Sequence, residues 1–290
     1  MIIVNLKGGL GNQMFQYAFG RALSLKNEDI LKLDTQSLSK AKEIGNIYRP
    51  FDLEAFNIYK DIAAPAEVSR IQYSHGLLSK LAKIFKQKVL RQSNVVFNKS
   101  FLSLSGNQYL DGYWQSPLYF QSIRETLLVD FTLRDTPSTS GQALQEHIKA
   151  TNSVSIHVRR GDYVLNPRVL RENGICSVAY YKQAIDEIET IQADITYFVF
   201  SDDIDWVKNN LDLPGDNVKY VEDATLTVPQ ELYLMSQCKH NIIANSSFSW
   251  WAAWLNQNPQ KTVIAPAPWF DTIEYDKHLI PESWTLLPKN

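Results

Sequence analysis

Two short runs in this chain concentrate side chains able to hold an anion. His157-Val158-Arg159-Arg160-Gly161-Asp162 packs an imidazole, two guanidiniums and a carboxylate into six residues. Asn245-Ser246-Ser247-Phe248-Ser249 places three hydroxyls at the start of an apolar helical segment. A guanidinium is always charged, and its planar fork matches phosphate oxygens two at a time. The unsatisfied N–H groups of a helix's first turn favour the same kind of ligand. Together the two runs predict a phosphate or diphosphate site. Read singly, each has a plainer account: an Arg-Arg pair is most often a solvated turn, and N-capping explains one of the serines. A third run, Ser201-Asp202-Asp203, follows the apolar Tyr197–Phe200. Its carboxylates suit hydrogen bonding to a nucleobase or capping of the next helix, and a metal reading lacks a third hard ligand nearby.

These runs need elements to position them. Val154, Ile156 and Val158 alternate with small or polar residues, the period of a β-strand. Open α/β sheets hold ligands at the C-terminal edges of such strands. Further strands are predicted over Thr196–Phe200, Val218–Val221, Asn241–Ala244 and Lys261–Ala265. Helical patterns alternate with them over Val178–Ile191, Ile204–Asn210, Pro229–Gln237 and Ser249–Leu255. The alternation implies a parallel sheet with helices on both faces. Trp250, Trp251 and Trp254 lie at helical spacing, as core residues that would hold the serine run rigidly against the sheet.

The N-terminal half opens in the same style. Ile2–Leu6 reads as a buried strand, Gly8-Gly9-Leu10-Gly11-Asn12-Gln13 as a turn, the stretch from Met14 to Leu25 as a helix and Ile30–Leu33 as a second strand. The glycine spacing matches neither the dinucleotide fingerprint nor the phosphate loop. A tight turn and a ligand-approach loop both stay open, with Asn12 able to donate and accept at its mouth. Leu77–Arg91 predicts an amphipathic helix carrying Lys80, Lys83, Lys86, Lys88 and Arg91 and no acid. Such a helix packs on its own domain in one reading and makes peripheral contact with an anionic membrane in the other. Gln108–Trp114 and Tyr119-Phe120 set aromatics beside polar groups, a pattern that suits sugar stacking and a core equally well.

Composition bounds these readings. The 290 residues suggest two domains, and a hydrophobic fraction of 44% excludes disorder. Pro137–Gly141 is the most linker-like stretch, which divides the chain into domains over 1–137 and 138–290. Residues 1–150 carry 18 basic and 13 acidic side chains (net +5), and residues 151–290 carry 11 and 18 (net −7). The overall charge of −2 argues against a nucleic-acid partner. Cys176 and Cys238 lack metal-ligand spacing and make no disulfide framework. No apolar run resembles a signal peptide or a membrane span, so a cytoplasmic protein is the expectation, peripheral on the inner membrane face if the basic helix docks there.

Taken together, Gly8–Gln16, His157–Tyr163, Phe200–Asp203 and Ile243–Trp251 resemble the bacterial α-1,2-fucosyltransferases of glycosyltransferase family 11, over Met1 to about Trp284. The resemblance implies an α/β, GT-B-like fold of two Rossmann-type domains, acceptor-side over 1–137 and GDP-sugar-binding over 138–290, with a donor site in the cleft. It implies GDP-L-fucose as donor, no cofactor and no metal. The acceptor would be the 2-hydroxyl of a galactose-terminated oligosaccharide or glycolipid, joined in an α-1,2 linkage with inversion. It places Asn12, His157, Arg159, Arg160, Asp202, Ser246, Ser247 and Phe248 on the donor. Arg159 would meet the β-phosphate, His157 and Asp202 the guanine, and Ser246, Ser247 and Phe248 the pyrophosphate. Arg159 and Asp162 are the catalytic candidates. Asp162 reads either as the general base or as a salt-bridge partner orienting Arg159 or Arg160, and Pro167 stands where related core fucosyltransferases have a further acid. The alternatives are a GT-B enzyme using another nucleotide sugar, a Rossmann dehydrogenase, which the glycine spacing disfavours, and a non-catalytic nucleotide- or sugar-binding module.

Overall fold

The computed structural model describes residues 1–38, 49–72, 88–92, 94–214 and 217–290. They form two compact units, Met1–Arg134 with Tyr275–Leu279, and Asp135–Glu274 with Ile280–Asn290.

The first unit is built on a four-stranded parallel sheet of order β2-β1-β4-β3. Its strands are β1 (Ile2–Asn5), β2 (Leu31–Asp34), β3 (Lys88–Arg91) and β4 (Gln108–Asp111). β1 is buried on both faces, which accounts for its unbroken Ile2-Ile3-Val4 run in place of alternation. Gly8, at φ +79°, turns the chain into α1 (Leu10–Asn27), whose Met14, Phe15, Ala18 and Phe19 are fully buried. Two shorter α-helices of this unit are α2 (Pro65–Gln72) and α3 (Arg124–Asp130).

The structure corrects the basic helix. Lys88–Arg91, predicted as its last turn, is strand β3, with Leu90 beside Leu110 and Arg91 beside Asp111 of β4. Val89 and Leu90 fit a helix face and a short strand equally well, and only the pairing with β4 separates the two. Residues 77–87 of that reading, and the membrane contact drawn from it, lie outside the described residues. Among the described residues no helix is long and apolar enough to cross a membrane.

The second unit carries a six-stranded, all-parallel sheet of order β10-β9-β8-β5-β6-β7. Its strands are β5 (Asn152–Val158), β6 (Ile195–Ser201), β7 (Val218–Tyr220), β8 (His240–Ile242), β9 (Val263–Ala267) and β10 (Thr285–Pro288). Counted from β5, the order is that of the doubly wound dinucleotide-binding fold. The helices are α4 (Thr139–Ala150), α5 (Gly161–Leu165), α6 (Pro167–Asn173), α7 (Val178–Ile191), α8 (Ile204–Asn210), α9 (Val228–Gln237) and α10 (Ser247–Leu255). The expected alternation is present, with β10 and α4 to α6 in addition. Ser138 accepts a hydrogen bond from the Gly141 N–H, so the stretch that looks like a linker by composition starts α4.

The central strand explains its own pattern. Val154, Ile156 and Val158 face a core of Tyr180, Tyr181, Ala184, Ile185 and Ile188 from α7. Ser153, Ser155 and His157 alternate with them and are also buried, so β5 is covered on both faces. Trp250 and Trp251 of α10 are fully buried, Trp254 nearly so, and Trp250 also packs on Trp284.

Candidate functional site

In the second unit the strand order reverses between β5 and β8. From β5 the chain proceeds outwards to β6 and β7, and from β8 it proceeds the other way to β9 and β10. The two strands run side by side, with Ile156 opposite Ile242. At such a point the connecting segments part and leave room outside the strand ends for a ligand. β5 delivers His157, Arg159 and Arg160 to that edge, and β8 delivers Asn245 and the start of α10.

Arg159 is held by two carboxylates. Its Nη1 lies 2.9 Å from Asp202 Oδ2, and its Nη2 donates to Asp162 Oδ1. The guanidinium also sits 5.6 Å from the centre of the Tyr163 ring. Arg160 has different partners: its Nε is 3.3 Å from Asp203 Oδ2 and its guanidinium lies 3.8 Å over the Trp206 ring. Its backbone N–H donates to Asp202 Oδ1 at 2.8 Å. Asp202 therefore ties the end of β6 to the end of β5 with both carboxylate oxygens. Gly161 makes this approach feasible, because a Cβ there would overlap Asp202 Oδ2. Asp203 caps α8, accepting from the Trp206 N–H at 3.2 Å.

His157 is 5% exposed, and its ring lies 5.4 Å from that of Phe248. Burial, with the Arg159 charge adding to it, drives its pKa down to about 3, so the imidazole is neutral. Its Nδ1 is buried without a hydrogen-bond partner, a cost a native site bears where a ligand or a water completes it. On α10 Ser246 is the N-cap, its hydroxyl accepting from the Phe248 N–H at 3.3 Å. Ser249 donates back to the carbonyls of Ala244 and Ser246. Ser247 and Phe248 remain half-buried in the first turn.

Three further contributors were not among the site residues drawn from the sequence, although Asn245 and Tyr163 lie within its quoted runs. Asn245 donates to the carbonyls of Asn173 at 2.8 Å and Trp269 at 3.1 Å, and its own carbonyl accepts from the Tyr163 hydroxyl at 3.1 Å. Asn245 and Tyr163 thus join the end of β8 to α5. Glu231, on α9, has its pKa raised to about 7, first by burial and then by the negative charge of Asp202. The only sequence signal for Glu231 was an acid inside an apolar helical run. Asn12 belongs to the first unit, where its Oδ1 accepts from Gln115 Nε2 at 2.7 Å. Among the described residues no group of three or more His, Cys, Asp or Glu is arranged to hold a metal ion, and Asp202 and Asp203 are directed at arginines.

The arrangement is a cationic fork and a helix N-terminus at the switch point of a dinucleotide-type sheet, a geometry suited to a nucleoside diphosphate. The family model for glycosyl transferase family 11 matches residues 1–285. The chain is 36% identical to an alpha-1,2-colitosyltransferase of Escherichia coli, covering 100% of this chain and 99% of that one. It is 31% identical to the O-antigen biosynthesis glycosyltransferase WbnK of Escherichia coli, covering 96% and 98%. It is 25% identical to galactoside alpha-(1,2)-fucosyltransferase 2 of Oryctolagus cuniculus, covering 88% and 67%. Among solved structures, an Arabidopsis thaliana FUT1 variant in complex with GDP aligns with a TM-score of 0.50 at 10% identity, covering 90% of this chain and 69% of that one. The fold is α/β and GT-B-like, with two Rossmann-type units.

Proposed function

The chain belongs to glycosyltransferase family 11, and on that premise we propose that it moves L-fucose from GDP-L-fucose to the 2-hydroxyl of a terminal β-galactoside, with inversion to an α-1,2 linkage. The observation that carries this reading is the pairing, at one switch point, of Arg159 with the Ser246–Ser247 start of α10. Breaking the bond between the sugar's anomeric carbon and the β-phosphate leaves negative charge on GDP and oxocarbenium character on the sugar. Arg159 and the N–H groups of α10 meet the growing negative charge without reorganising, and no metal is needed for it. The diphosphate takes Arg159 over from Asp162, whose released carboxylate accepts the proton of the acceptor hydroxyl. The neutral His157 ring and Phe248 offer the guanine a flat face and an unused ring nitrogen. Asp202 keeps Arg159 aimed, and each of its oxygens retains a lone pair for a guanine N–H.

A second donor is favoured by one observation, the colitosyltransferase among the relatives. Colitose is the 3-deoxy counterpart of fucose, so the two donors differ by one hydroxyl. The test is transfer from GDP-fucose and from GDP-colitose to lactose, with the linkage of the product read by NMR. An α-1,2-fucosyl product is the expected result. Transfer from GDP-colitose alone would replace the donor in this reading, and turnover of neither donor would overturn it.

A further inference from the structure

The first unit carries a polar cluster at the C-terminal edge of its parallel sheet. β1 and β4 are its two central strands, with β2 beside β1 and β3 beside β4. Asn5 and Asp111 end these two neighbouring strands. Asn5 Nδ2 donates to Asp111 Oδ1 at 3.0 Å, and Lys7 Nζ reaches the same oxygen at 2.7 Å. The other oxygen, Oδ2, is 3.6 Å from Arg91 Nε, longer than a hydrogen bond, and so keeps acceptor capacity. Lys7 Nζ also lies 5.1 Å from the centre of the Tyr113 ring. One carboxylate, one ammonium and one aromatic face thus meet at the C-terminal edge of a parallel sheet, the edge outside which open α/β sheets hold ligands.

The turn that carries Tyr113 is held on either side. Trp114 is fully buried with φ at +54°, a left-handed conformation uncommon for a residue with a bulky side chain. Its N–H donates to Gln92 Oε1 at 2.9 Å, and the next residue, Gln115, donates to Asn12 at 2.7 Å. A Cβ at Gly112 would lie 2.7 Å from Gln92 and 2.8 Å from the Trp114 ring. Trp114 Nε1 and Ser116 Oγ are buried without hydrogen-bond partners. Strain and orphaned polar atoms persist where surrounding structure enforces them, and they cluster at ligand sites. What this turn achieves is to leave Tyr113 40% exposed beside Asp111, between neighbours locked into the interior.

From this arrangement we propose that Tyr113, Asp111 and Lys7 form a pyranoside subsite for the acceptor, an inference that rests on the transferase reading above. The apolar C–H face of a pyranose stacks on the Tyr113 ring. Its hydroxyls donate to Asp111 Oδ2 and accept from Lys7, whose charge Asp111 already balances.

The test is steady-state transfer by the full chain from GDP-fucose to lactose as the acceptor probe. Tyr113→Ala should raise the KM for lactose roughly five- to tenfold, the scale of one lost ring contact, while the KM for GDP-fucose moves less than twofold. Tyr113→Phe, which keeps the ring, should restore the wild-type KM, and Asp111→Asn should raise it. An unchanged KM for lactose in a folded Tyr113→Ala protein overturns the subsite. A wild-type chain that hydrolyses GDP-fucose yet neither binds nor fucosylates lactose overturns the galactoside ligand assigned to it. A wild-type chain that neither hydrolyses GDP-fucose nor is stabilised by GDP overturns the transferase reading itself.

Discussion

Arg159 Nη1 lies 2.9 Å from Asp202 Oδ2, an ion pair that joins the end of β5 to the end of β6. Because the other arm of the same guanidinium donates to Asp162, any phosphate reaching Arg159 competes with a carboxylate already in place. Asp162→Asn should therefore bind GDP several-fold more tightly, while its kcat falls by about a hundredfold if Asp162 takes the acceptor's proton. Calorimetry with GDP and steady-state transfer give the two halves of this result. Tighter binding with normal kcat would leave Asp162 as an orienting residue only.

Arg159→Ala should lose roughly a hundred- to thousandfold in kcat, the scale of losing one preorganised donor to a developing charge. Arg159→Lys should not rescue it, since a point charge cannot reproduce the fork. Arg160→Ala is the internal comparison. Its guanidinium lies 3.8 Å over Trp206, a contact worth about 0.5–2 kcal/mol, so its loss should appear in Tm before it appears in kcat. A folded Arg159→Ala protein with near-normal kcat would show that β5 does not serve the leaving group.

Donor affinity should depend on pH through Glu231. With its pKa raised to about 7 by burial and by Asp202, the group is mostly protonated below that value and adds negative charge above it. The KM for GDP-fucose should rise as pH passes upwards through about 7. Glu231→Gln should flatten the rise, and Asp202→Asn should move it to lower pH. A profile identical in Glu231→Gln and wild type would remove Glu231 from the site.

Stability should also carry the signature of His157. Its folded pKa of about 3 lies below the ordinary 6.5, so between those values the unfolded chain binds a proton that the native chain does not. Stability is then lost as pH falls through this window, by up to about 1.4 kcal/mol per pH unit from this group alone. Asp52 and Glu231, whose pKa values are raised to about 6 and about 7, act in the opposite sense. The measurement is therefore the difference between wild type and His157→Gln in denaturant titrations from pH 7 to pH 4. Equal pH slopes would mean that His157 is protonated in the folded chain.

Full transfer activity is expected in excess chelator, because Arg159 and the α10 N-terminus are assigned the leaving charge. Loss of activity that magnesium or manganese restores would return Asp202 and Asp203 to the role of metal ligands.

The second unit was largely legible in the chain. A βα alternation with short apolar runs specifies a parallel sheet, and Arg159 with Ser246–Ser249 was recognisable because charge and capping residues interrupt that pattern at strand ends. The reading failed where apolar runs were short or the pairing remote. Lys88–Arg91 became a strand only by pairing with Gln108–Asp111. β10 returns to β9 after the long stretch from Ala267 to Thr285.

What the sequence determined by itself is the inventory: which side chains can carry charge, hydrogen-bond or stack, and the local elements that bring them to strand ends. Those properties are written into residue type and into periods of two and 3.6, which need no partner to be read. Only the tertiary structure decided the pairings. Asp202 with Arg159, Arg160 over Trp206, Asn245 on the carbonyls of Asn173 and Trp269, and Asp111 with Lys7 each join residues from separate elements. Strand order and helix packing set these distances, and a side chain's charge state and partners follow from its distances to neighbours remote in sequence. The same carboxylate that sequence alone offers to a nucleobase, a helix cap or a metal becomes, once β5 and β6 lie side by side, the group that aims an arginine.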